Sequence, residues 1–223
     1  QFIAKITNIL QGDSFPNLIQ KFNAGDNSSE TMALLARKYA IREMDSLALA
    51  LYKKVLTTKN VSYNTYHESN YFINLKLLDS QGCGPLENYI NEYPDSPYFV
   101  DALNQLLAYF KITNNQEKEL LYLMNYLDNF LDDPWFLNQF SWRMAELNIN
   151  LNLALDKINL SLSLLDETTP GYANILDTKA EVLWKMGDIE EAVQVINKAI
   201  KMDASNGYYI EQKNKFHNSI IDR

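Results

Sequence analysis

Side chains whose type invites chemistry are few here: 223 residues contain two histidines and one cysteine. Imidazole is the commonest general base and metal ligand. His67 and His217 lie far apart, and neither stands in a His-Glu-X-X-His spacing, which would set two ligands on one helical face. Each reads as a solvated histidine on a helix surface. The acid pairs Asp132-Asp133 and Glu190-Glu191 have the composition of an acid–base dyad, yet adjacent helical residues diverge in direction. They read as a loop before Pro134 and as the first turn of a helix. Gly82-Cys83-Gly84 lacks the following Lys-Ser/Thr and the preceding strand of a phosphate-binding loop. Cys83, between two glycines in a predicted loop, is the candidate redox-accessible thiol, although no base or second cysteine lies within local reach. A single cysteine excludes an intramolecular disulfide and a cysteine-based metal cluster. No catalytic residue, metal ligand or cofactor is therefore assigned.

Aromatic residues make up 12% of the chain. Trp135, Trp142 and Trp184 have the makings of a ligand cage, but crossing helices take large rings into their seams, and core or groove wall is the better reading. Charge narrows the partners. Lys and Arg number 20 against 28 Asp and Glu, giving a net charge of −8 and a pI near 4.8. Neutralising phosphates needs basic residues gathered on one face, and here they are scattered, which argues against nucleic acid. No apolar run approaches the roughly 18–20 residues that span a bilayer. Gln1–Leu10 lacks the apolar core of a signal peptide, and the chain reads as a fragment or processed product.

Only 7 Gly and 6 Pro are present, too few for a sheet protein needing frequent turns, so helices joined by short loops are expected. The carboxy-terminal third shows why most plainly. ANILDTKAEVLWKMG places Leu176, Ala180 and Leu183 on one helical stripe. Gly187 supplies the turn and Asp188 the N-cap, with Glu190 and Glu191 in the first turn of the next helix. That helix carries Ile189, Ala192, Val193, Ile196, Ala199 and Ile200 on its inner face. Two such helices cannot bury both faces alone, and they stack on neighbours. INLSLSLL alternates like a strand but is read as helix, with Ala154, Ile158, Ser161, Leu162 and Leu165 on one face.

The period of about 34 residues and the small residues at the crossings resemble the tetratricopeptide repeat. With position 1 at Ala173, Ala180, Gly187, Ala192 and Ala199 fall on the family's signature positions. A second copy, ALLARKYAIREMDSLALALYKKVL, matches through Leu35, Ala36, Tyr39, Ala48 and Tyr52; Val55 replaces an alanine and Glu43 the turn glycine. A degenerate copy covers about 135–166, with Trp142 and Ala154 in place and Ser161 for an alanine. The resemblance implies an all-α, right-handed α-α solenoid of about six helical hairpins, irregular in the middle. One domain over 1–223 is expected: lead-in helices (1–28), a repeat (29–62), degenerate pairs (63–96 and 97–134), a degenerate repeat (135–170), a clear repeat (171–206) and a capping helix (207–223).

The same resemblance implies a non-catalytic module that holds a protein or peptide in a groove lined by the first helix of each pair. Its groove positions are Glu30, Ala33, Arg37, Ala40 and Ile41 in the first copy, and Asn174, Asp177, Glu181, Trp184 and Lys185 in the last. Asp177 and Glu181 stand where a clamp for acidic peptide termini would carry Lys and Asn, so a basic or neutral partner is expected. A carbohydrate- or small-ligand-binding helical protein is the alternative. FPNLIQKFNAGD, the stretch around Asn70, Phe140-Ser141-Trp142 and LDTKAEVLWKMGDIEEAV, in that order, resemble the helical region that follows the thioredoxin-like domain in secreted or periplasmic proteins of Bacteroidetes type. That implies a periplasmic or secreted setting, with cytoplasm as the alternative, and no thiol–disulfide activity of the chain's own.

Overall fold

The structure, a computed structural model, describes residues 14–221. The lead-in expected over 1–28 is therefore seen only from Ser14, and its earlier part lies outside the described residues. Among those residues run thirteen α-helices and no strand: α1 (Phe15–Asn23), α2 (Ser29–Ala40), α3 (Asp45–Thr57), α4 (Tyr63–Lys76), α5 (Leu78–Gln81), α6 (Gly84–Glu92), α7 (Phe99–Ile112), α8 (Gln116–Tyr126), α9 (Pro134–Leu147), α10 (Leu151–Ser163), α11 (Tyr172–Met186), α12 (Ile189–Met202) and α13 (Gly207–Ile221). A 3₁₀ turn, Leu127–Phe130, follows α8. The helices fall into two compact units, one ending at Glu119 and the other beginning at Leu120, so the division lies inside α8.

One backbone device recurs at the hairpin turns. Glu43, Asn114, Asn148 and Gly187 all have positive φ, between 54° and 94°. At each, that residue's N–H bonds the carbonyl three residues back, and the next N–H bonds the carbonyl five residues back. For Gly187 and Asp188 the acceptors are Trp184 (3.0 Å) and Leu183 (2.9 Å); for Glu43 and Met44 they are Ala40 (2.9 Å) and Tyr39 (3.0 Å). Asn114 and Asn115 repeat the pair with Lys111 and Phe110, and Asn148 and Ile149 with Ala145 and Met144. This is the Schellman closure, which satisfies the orphan carbonyls of a helix end and demands a left-handed residue. Glycine adopts that conformation freely and asparagine tolerates it; for other residues it costs roughly 1–2 kcal/mol. The α7–α8 and α9–α10 hairpins thus keep the turn with asparagine in place of the glycine.

Helix starts use different means. Ser28 and Ser62 accept from the backbone N–H of Thr31 and Thr65 (3.3 Å each). Asp133 is an N-cap rather than plain loop, accepting from Trp135 (2.9 Å) and Phe136 (3.2 Å) just before Pro134. Asp188, expected to cap α12, makes no such bond. It is already the second residue of the Schellman closure, and its ψ of 60° lies outside the extended range that N-caps favour.

Packing follows the small residues. Ala36 and Ala48, at the crossing of α2 and α3, are fully buried, as are Ala180, Ala192 and Ala199 between α11 and α12. Val55, in place of an alanine, is buried too. Ser161, another such replacement, is fully buried and donates to the Pro134 carbonyl at 2.7 Å. Ser141 donates to the carbonyls of Leu137 (2.8 Å) and Ala154 (3.0 Å). Both hydroxyls escape the penalty of an unmade buried hydrogen bond. INLSLSLL is helical through Ser163, the end of α10, with Leu164 and Leu165 in the turn that follows.

The α4–α6 pair is built otherwise. α6 has nine residues and α5 only four, too few to offer a long aliphatic stripe. Tyrosines fill the space around His67, whose ring centroid lies 4.3 Å from Tyr63, 4.9 Å from Tyr93 and 5.3 Å from Tyr66. His67 is thus only 3% exposed, not the solvated surface histidine expected. Its neighbour Tyr89 hydrogen-bonds the hydroxyl of Ser96 at 2.6 Å. Desolvation lowers the imidazole pKa, favouring the neutral ring.

Candidate interaction faces

In the first unit, the groove positions of α2 divide. Ala33 is buried, whereas Glu30, Arg37 and Ile41 reach solvent, Ile41 to 72%. Glu30 accepts from the Ser29 hydroxyl at 2.9 Å. Arg37 reaches across to α4 and grips Glu68 with two N–H groups, at 2.8 and 2.5 Å. The Tyr52 hydroxyl adds a third donor to Glu68 at 2.8 Å. Glu68 is 8% exposed, and this triple donation is what lets a charged carboxylate stay buried. The bond to Glu68 raises the Arg37 pKa further, while burial and then the Glu68 charge raise that of Tyr52. Lys76 closes a second tie, to Asp45 at 2.7 Å.

Cys83 lies in this unit and is half-buried rather than open to solvent. Its Sγ donates to Glu87 Oε2 at 3.3 Å, and Lys118 Nζ bonds both Glu87 oxygens at 2.8 and 2.9 Å. The sequence locates no base near the thiol; the fold brings Lys118 Nζ to 3.5 Å from Sγ, from 35 residues away. Burial and the bond to Glu87 push the thiol pKa up, against the pull of Lys118. The thiol form, which is the weaker nucleophile, is therefore favoured.

In the second unit, α13 covers the groove face of α11. Asn174 stays exposed but accepts from the Tyr209 hydroxyl at 2.5 Å. Asp177 and Glu181 are 5% and 7% exposed, so they do not line an open groove as the sequence reading places them. The last hairpin needs a neighbour, and α13 supplies it by sinking Tyr209 and Phe216 into the core. Glu181 pairs with Lys215 of α13. Lys215 Nζ also sits 4.5 Å from the centre of the Trp184 ring, and Lys185 Nζ 4.9 Å from it, both within cation–π range. Trp184 is half-buried against Phe216, with centroids 5.7 Å apart.

Asp177 is the odd member. Its Oδ1 is buried without a hydrogen-bond partner. Desolvation first, then the charge of Glu181 one turn away, push its carboxyl up to about 7; Lys215 and a hydrogen bond from Tyr208 act against the rise. Two carboxylates share one ammonium group here. None of this is readable from α11 alone, because α13 supplies the cover and the counter-charge.

Clefts open among the described residues of both units. One of about 220 Å³ lies over Phe22, Leu35, Tyr39 and Leu51 in the first unit. In the second, a polar one of about 520 Å³ follows the 167–174 segment to Tyr209. Another, of about 480 Å³, runs between α10, α11 and α12. Among the described residues no group of His, Cys, Asp or Glu is arranged to hold a metal ion, and no helix is long and apolar enough to cross a membrane.

No family model matches the chain, and no curated protein matches it. Solved structures do. The crystal structure of YrrB, a TPR protein with an unusual peptide-binding site, aligns over 88% of this chain and 97% of its own at a TM-score of 0.62 and 16% identity. TTC0263, a TPR protein of Thermus thermophilus, aligns over 87% of this chain and 100% of its own at a TM-score of 0.44 and 18% identity. At these identities the likeness concerns the fold. The fold is all-α and tetratricopeptide-like.

Proposed function

We propose that the chain is a non-catalytic protein-interaction module whose partner, a peptide or a protein domain, engages the first-helix face of α2. The observation that carries this is a contrast at two equivalent positions. Arg37 on α2 and Ile41 just past its end are exposed, whereas their counterparts in the last repeat, Glu181 and Lys185, are buried and half-buried. An acid, a guanidinium and an apolar side chain along one helical face offer two charges of opposite sign and an anchor, the mixture that peptide grooves use for register and affinity. The peptide-binding site ascribed to YrrB, a protein of the same fold, supports the reading.

A photo-crosslinking side chain at Ile41, exposed to lysate of the native host, is expected to trap a discrete partner that Glu30→Lys releases. The same probe at Glu191, on the exposed side of α12, is expected to trap none. Absence of a discrete adduct at Ile41, or indifference of the adduct to Glu30→Lys, would sink the reading. We further read the module as the carboxy-terminal part of an exported thioredoxin-like protein, supported by the order of its FPNLIQKFNAGD, Phe140-Ser141-Trp142 and LDTKAEVLWKMGDIEEAV stretches. The half-buried, protonated Cys83 agrees with the absence of thiol–disulfide chemistry in the chain itself; insulin reduction by it would contradict that.

A further inference from the structure

α11 has a second face. By the 3.6-residue period, Tyr172, Leu176 and Lys179 lie about half a turn from Asn174, Asp177 and Glu181. They border the cleft of about 480 Å³ between α10, α11 and α12. Its floor is apolar: Leu162 is half-buried, and Leu176 and Val195 are buried. Its rim carries Lys179, Lys198 and Lys201, the last two exposed. Lys179, Lys198 and Lys201 hold no carboxylate among the described residues. Three ammonium groups against the one carboxylate that lines the cleft, Glu167, give it a local positive excess in a chain of net charge −8.

We propose that this cleft binds an acidic peptide segment of a partner protein, laying one apolar side chain on the Leu162–Leu176–Val195 floor and its flanking carboxylates on Lys179, Lys198 and Lys201. Charge complementarity selects the class. A free inorganic anion would leave the apolar floor unused, while a nucleic acid or an anionic bilayer needs a basic face broader than three lysines on one cleft. Glu167, in the lining of the same cleft, disfavours a carboxylate beside it. This surface is separate from the α2 face and does not depend on it.

The test is fluorescence anisotropy on the full chain with three labelled hexapeptides: Glu-Asp-Leu-Phe-Asp-Glu, its charge-swapped form Lys-Lys-Leu-Phe-Lys-Lys, and Glu-Asp-Gly-Ser-Asp-Glu. The first is expected to bind, at least about tenfold more tightly than the other two, with salt weakening it. The double variant Lys198→Glu/Lys201→Glu is expected to weaken it by about tenfold or more, and Lys198→Ala/Lys201→Ala by less. Both pairs are exposed, and circular dichroism melts show whether either perturbs folding; the alanine pair stands in if the glutamate pair does. Ile41→Ala leaves this binding unchanged, separating it from the α2 face. No binding of the acidic peptide, equal binding of the charge-swapped one, indifference to both lysine pairs, or tighter binding to phosphatidylserine vesicles would each overturn the proposal.

Discussion

Glu68 in the first unit and the Asp177–Glu181 pair in the second are buried to the same degree and answered unequally. Glu68 receives two guanidinium bonds and a phenol. Asp177 and Glu181 share Lys215, and Asp177 keeps one oxygen unpaired. A buried carboxylate stays ionised only where donors replace the lost water. Glu68 is so supplied and ties α4 to α2. Asp177 is not, and its proton affinity rises to meet the deficit. The first arrangement ties two helices with its donors matched, while the second makes the seat of α13 depend on pH.

The largest expected effect breaks this comparison directly. Asp177 titrates near 7 when folded, against about 3.8 for the free carboxyl. A raised acid pKa is a cost of folding that is fully present above the folded value and disappears as pH falls toward the unfolded one. Urea melts of the second unit should therefore gain stability between pH 8 and pH 5, on the order of 2–4 kcal/mol. Asp177→Asn should flatten that slope. A slope that survives the substitution would place the titration elsewhere.

The next effect is on the opposite side. Arg37→Ala leaves Glu68 buried with the phenol alone and is expected to destabilise the first unit by about 2 kcal/mol, less than a fully buried pair because the guanidinium is half exposed. Urea melts of Arg37→Ala and Arg37→Ala/Glu68→Gln measure it: the second change should recover part of the loss, since a neutral amide is cheaper to bury. Smaller still, Gly187→Ala forces a Cβ into the left-handed region and should cost about 1 kcal/mol, whereas Glu43→Gly should gain up to about 1 kcal/mol at the equivalent turn. Equal and opposite signs at two equivalent positions would show that the closure, not the local sequence, sets the geometry. Last, Glu87→Gln removes the bond and charge that hold the Cys83 proton. Iodoacetamide labelling near neutral pH should quicken severalfold as Lys118 draws the thiol pKa down.

How much of this was legible depends on whether the cause was local. Ala36, Ala48, Ala180 and Ala192 announce helix crossings by their size, and Gly187 announces its turn. The helical state of INLSLSLL was readable too, because Ala154, Ile158 and Ser161 share one face. His67 was misread because the tyrosines that bury it come from both α4 and the segment around α6, and no window of sequence contains them all. The burial of Asp177 and Glu181 was equally out of reach. Their positions are groove positions by period, and only the capping helix, some thirty residues on, decides that they are covered. Lys118 beside Cys83 belongs to the same class of non-local pairing.

The recurring turn has a consequence for how such a chain can change over time. Asn114 and Asn148 are 34 residues apart (148 − 114), one repeat length, although neither hairpin keeps most of the signature side chains. At these two hairpins the reversal of the chain rests on two backbone hydrogen bonds and one tolerated dihedral angle. The side chains around them can then be exchanged without undoing the turn, so long as the left-handed position keeps a residue that tolerates it.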